Sequence, residues 1–204
     1  MQPARWITVL TLATGALSPG DGMAQDARLG RRLDSTTVAA LSIVIDSVRA
    51  AGLPVEPLVQ RALEGAAKRA SADRIVAAVR LLADELGIAR AALGPASTPP
   101  ELVAAASALR AGVRPADLTE LRQRRSTGLT VSLAAVTDLV TSGVPPDSAA
   151  AAVLALAAAR DDQIVAFRRA VERDIALGAP PAAAAAVRVN AAVNDLAPGP
   201  SRRP

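Results

Sequence analysis

The feature that most limits how this chain can fold is a recurring corner. Four stretches place an apolar residue after a glycine and a proline within two places of that residue: Gly52-Leu53-Pro54, Gly112-Val113-Arg114-Pro115, Gly143-Val144-Pro145-Pro146 and Gly178-Ala179-Pro180-Pro181. Glycine just past a helix end adopts the left-handed conformation that closes the helix, because it has no Cβ to clash. The apolar residue after it packs back on the finished turn. Proline in the first turn of the next helix costs nothing, since that N–H has no intrahelical partner. Each stretch therefore spells helix stop, tight corner, helix start. Thr98-Pro99-Pro100-Glu101 adds a capping box with proline at the first helical position.

The segments between the corners carry helical periodicity, and none shows sustained alternation. Val38, Leu41, Val44, Ile45 and Val48 share one face; Leu58, Val59, Ala62 and Leu63 mark a second helix. Ile75, Val76, Val79, Leu82 and Leu86 mark a longer third, and Leu102, Val103, Ala106 and Leu109 a fourth. Leu118 and Leu121 sit on a short fifth, Leu133, Val136 and Val140 on a sixth, and Ala149, Val153 and Leu156 on a seventh. Ile164, Phe167, Val171 and Ile175 define an eighth; Ala186, Val189 and Val193 are the expected core face of a ninth. Short corners bring successive helices together as hairpins, with units near 53–91, 99–125, 130–159 and 161–195. Their lengths vary between 27 and 39 residues, so no strict array is implied. The expected fold is all-α, either an irregular multi-helix bundle or a short stack of helical hairpins, with about 8–9 helices. Alanine-rich packing is expected, with Leu, Val and Ile carrying most of the burial energy at about 25 cal/mol per Å².

The N-terminus reads as an address. Met1 to Arg5 carry one positive side chain, Trp6 to Leu17 are apolar, and Gly22-Met23-Ala24 satisfies the small-x-small cleavage rule. The apolar run spans 12 residues, short of the ~20 needed to cross a bilayer. The expected organisation is a signal peptide over 1–24, cleaved near Ala24, then a loose lead-in over 25–33 that carries Arg28, Arg31 and Arg32. A helical domain over 34–196 and a disordered tail over 197–204 follow. The protein is expected to be exported to the periplasm or beyond the cell, with no integral membrane span. The second apolar run, Ala149 to Ala159, ends at Arg160-Asp161-Asp162 and reads as a buried helix.

The chemical inventory is thin. The chain has no His, Cys or Tyr, which removes the commonest general base, thiol chemistry and a phenolic proton donor. Ser71, three residues from Lys68, reads as a helix cap rather than a nucleophile. Asp84-Glu85 and Asp161-Asp162 are sequence neighbours, so on a helix they diverge; the second pair suits a helix start. Neither an EF-hand loop nor a glycine-rich phosphate loop is present. No catalytic residue, metal ligand or cofactor is expected, and the chain reads as a non-enzyme.

Net charge is +4, almost all of the cations being arginine. The densest basic cluster, Arg122, Arg124 and Arg125, closes a helix, where cations suit the dipole. It is the candidate surface for an acidic protein partner. Nucleic acid is not expected, because a broad basic stripe and stacking aromatics are both missing. The expectation is a binding or scaffold module for another envelope protein. Two alternatives are a carboxylate-based envelope hydrolase, which needs two converging acids, and a membrane-surface protein using 160–177.

Overall fold

A computed structural model describes residues 27–125 and 127–196. The signal-like stretch over 1–24 and the tail over 197–204 lie outside the described residues. The described residues are mostly helical, without a strand among them. The helices are α1 (27–30), α2 (Ser35–Ala50), α3 (Glu56–Ala67), α4 (Ala72–Leu93) and α5 (Pro99–Arg110), then α6 (Pro115–Arg124), α7 (Thr130–Thr141), α8 (Pro146–Ala155), α9 (Asp161–Ala176) and α10 (Pro181–Leu196). The nine phased segments correspond to α2–α10 in order. The extra turn, α1, falls in the stretch expected to be a loose lead-in. There Leu29 is fully buried and Arg28 pairs with Glu56 at 3.0 Å.

The corners close as their composition requires. At the end of α5, the Val113 N–H donates to Ala108 O and the Gly112 N–H to Leu109 O, with Gly112 at φ +97°. The same pair of bonds recurs at Gly52, Gly143 and Gly178. A fifth corner of this kind had no glycine to announce it. At the end of α3 the Arg69 N–H donates to Ala66 O and the Ala70 N–H to Gly65 O, and Arg69 itself takes φ +55°. Proline occupies the first turn of α3, α5, α6 and α8 and begins α10.

The helices form two interlocking rows. In one, α5 packs on α7 and α7 on α9; in the other, α2 packs on α4, α4 on α6, α6 on α8 and α8 on α10. Contacts of α3 with α4, α4 with α5, α7 with α8 and α9 with α10 join the rows. Apart from α3, each helix from α2 to α8 thus meets the one two places on, and α3–α4, α7–α8 and α9–α10 pack as hairpins. The stacking distance is set partly at the corners. The Gly112 Cα faces the proline that starts α8 so closely that a Cβ there would lie 3.2 Å from Pro146 Cγ. Gly143 and Pro181 repeat this one hairpin further on, at 3.4 Å.

One continuous core runs through the stack. Leu41, Leu58, Leu86, Leu102, Leu118, Leu133, Leu139 and Leu156 are fully enclosed, and alanines such as Ala62, Ala89, Ala105 and Ala149 fill the close approaches between them. Phe167 is the one phenylalanine and lies in this core. The last helix departs from expectation. Ala184 and Ala185 face inward, while Ala186 and Val193 face outward. A run of five alanines over 182–186 offers no contrast by which a sequence could fix the phase of the helix.

Candidate functional site

The three arginines of the basic cluster at the end of α6 have different surroundings. Arg125 is buried. Its Nε donates to Gly128 O at 3.2 Å, its Nη1 donates to Ala157 O at 3.1 Å and Ala159 O at 2.6 Å, and its Nη2 pairs with Asp161. It ties the α6–α7 loop to the α8–α9 loop and satisfies carbonyls that the end of α8 leaves open. Arg122 turns toward Glu101, with Nη2 at 2.8 Å from Oε1. Only Arg124 stands out in solvent, and it pairs with Glu120 one turn back. Of the three arginines of the expected partner-binding cluster, Arg125 is buried, Arg122 is half-buried and Arg124 is exposed.

Other polar side chains serve the same loop edge. Glu101 is buried at the start of α5, where its Oε2 accepts from Thr98 N–H at 2.9 Å and its Oε1 from Leu129 N–H at 2.9 Å. Burial pushes its carboxyl up, but those two N–H groups and Arg122 outweigh it and hold the pKa at about 2. Arg90 reaches both Pro95 O at 2.6 Å and Gly52 O at 3.4 Å. These residues stitch successive loops together.

Several further carboxylates are tied to arginines as well. Asp117 pairs with Arg114 at 2.8 Å, Asp138 with Arg168 at 2.8 Å and Asp174 with Arg188 at 2.6 Å. The apolar face of α9, the best membrane-surface candidate, is used internally by Ile164, Phe167 and Val171, and its exposed side carries Asp162, Arg169 and Arg173.

The concave feature with the clearest structural origin lies between α3 and α5. The row that joins α5, α7 and α9 by close packing does not extend to α3, which rests on α4 instead. The opening is a groove of about 350 Å³ floored by Leu82 of α4. Pro57, Gln60, Arg61 and Glu64 line one wall, and Val103, Ser107 and Arg110 the other. Glu64 is held below the usual carboxylate range by Lys68 first, then by Arg61 and Arg110. Beneath the wall, buried Glu85 receives the Arg110 guanidinium in a two-pronged pair, with Nε to Oε1 at 3.1 Å. Glu85 is thereby separated in role from its neighbour Asp84, which faces solvent. The groove offers an aliphatic floor, Arg61 and Arg110 on facing walls, each paired with a glutamate, together with Gln60 and with Ser107, whose hydroxyl donates to Val103 O.

The sequence did not point to this groove, because periodicity locates faces of single helices and not the spacing between them. The arrangement defines an all-α multi-helix bundle with one interrupted row of helices. No protein family, curated protein or solved structure matches the chain.

Proposed function

We propose that this protein is an exported, non-enzymatic helical module that binds a segment of a protein partner in the groove between α3 and α5. The observation that carries this reading is the break in the row at that point: α3 and α5 do not pack closely on each other, and an amphipathic trough lies between them. The chemistry of the walls supports a polypeptide as occupant. Leu82 and Val103 suit an aliphatic side chain, and Gln60 and Ser107 suit backbone amide groups. The absence of His, Cys and Tyr from the whole sequence, and the engagement of so many carboxylates in ion pairs, weigh against an acid–base or nucleophilic reaction. Export rests on the N-terminal address, and an envelope protein is the matching partner class.

The experiment is site-specific photo-cross-linking in cells. A photoreactive side chain at Gln60 is expected to capture one reproducible protein, and the same group at Arg169 on α9 is expected not to. A Gln60 probe that captures nothing, or the same proteins as the Arg169 probe, would overturn the proposal.

A further inference from the structure

The stack ends unevenly. Among the described residues, the large apolar side chains left exposed are Ile43, Leu81, Ile88, Leu177, Val187 and Val193, with none between 89 and 176. Three of the six belong to the last hairpin. In its row α2, α4, α6 and α8 are each covered by the helix two places on, but among the described residues no helix packs on the outer side of α10. Terminal units of helical stacks normally present a polar outer face. α9 does so, through Asp162, Arg169 and Arg173. α10 does not: its outward positions are Ala183, Ala186, Val187, Asn190, Val193 and Asn194, without a charge among them. Its one arginine, Arg188, is turned away and paired with Asp174 through Nε at 2.6 Å and Nη2 at 2.8 Å.

This stripe is symmetric along the helix. Asn190 lies at its middle, with Val187 and Val193 three residues to either side and Ala186 and Asn194 four residues to either side. Two such helices laid antiparallel match residue 190 + k with residue 190 − k. Valine then meets valine, alanine meets asparagine, and the two Asn190 amides meet on the axis, where each can donate to and accept from the other. A two-fold contact requires a patch complementary to itself, and this stripe has that property. We propose that α10 seats a second copy of this chain, packed antiparallel on its own α10 about a two-fold axis through Asn190. The copy's helix takes the next position in the row. The surface shares no residue with the α3–α5 groove. A single helix pair buries well under the roughly 1,600 Å² of a standard interface, so the association belongs in the micromolar range, not the nanomolar.

The test uses the purified protein. Sedimentation velocity over a hundredfold range of concentration is expected to show reversible monomer–dimer exchange. Val187→Glu with Val193→Glu is expected to shift dissociation at least tenfold while leaving helical circular dichroism unchanged, since both side chains are exposed. The chain contains no cysteine, so Asn190→Cys introduces a single thiol. It is expected to give a disulfide-linked dimer far faster than Thr36→Cys, which places the thiol on exposed α2. A protein that stays monomeric throughout, a dimer indifferent to the paired glutamates, or Asn190→Cys cross-linking no faster than Thr36→Cys would each overturn the assignment.

Discussion

Arg69 holds a left-handed backbone, φ +55°, at a corner where the chain could have used glycine. That conformation costs a non-glycine residue on the order of 1 kcal/mol. Arg69→Gly is therefore expected to stabilise the protein by up to about 1 kcal/mol, seen as a rise in the urea midpoint. Gly112→Ala has the opposite sign. It adds the left-handed cost at φ +97° and places a Cβ 3.2 Å from Pro146 Cγ. A loss of about 2 kcal/mol in the same measurement is expected. At Arg125, replacement by Leu would leave Ala157 O, Ala159 O and Asp161 without their donor. A loss of about 3 kcal/mol is expected, and Arg125→Lys recovers only part of it because an ammonium cannot span the same fork. Arg125 was legible only as one of three basic residues at a helix end. Its true partners lie 32 to 36 residues further along, and nothing in the local sequence tells a solvated arginine from one that caps another helix.

Helix boundaries were the most legible part of this chain. Glycine, proline and the Thr98–Glu101 box act within a few residues of where they stand, so their effect survives any tertiary context. The structure places the corners at all four marked glycines and the capping box at Thr98, with the Glu101 N–H donating to Thr98 Oγ1 at 3.4 Å. Ser71 precedes α4 as expected, although its hydroxyl makes no capping bond. What the sequence concealed was how elements are tied together. Glu101 is legible as the cap of α5 but not as an acceptor for Leu129 N–H at the start of α7, nor as the partner of Arg122. These bonds make its ionised form part of the folded state. Its pKa falls from the ordinary glutamate value of 4.5 to about 2 on folding. The stability it contributes is therefore complete above pH ~4.5 and is lost as pH falls toward 2. Glu101→Gln is expected to cost about 2 kcal/mol at neutral pH and to flatten the acid limb of a urea-midpoint profile between those values. An unchanged acid limb would remove Glu101 from this role. The α3–α5 groove was hidden for a related reason: a gap between helices is a property of two distant segments, and each of its walls reads alone as an ordinary amphipathic helix.

At the scale of the molecule, a stack in which helices contact mainly their near neighbours should not be equally stable along its length. α4 touches α2, α3, α5 and α6, whereas α10 touches only α8 and α9 closely. Hydrogen exchange is expected to be slowest for amides of α4 and fastest for those of α10, with the difference shrinking as protein concentration rises if α10 is covered by a second copy. The nesting of Gly112 on Pro146, repeated by Gly143 on Pro181, bears on how such a chain could have lengthened. The α7–α8 pair carries both a socket, at Gly143, and a peg, Pro146, for the bend before it, so spacing between layers is written into the layer itself. A duplicated hairpin would arrive with its own gauge already cut, and a chain built this way can gain length without re-solving its core.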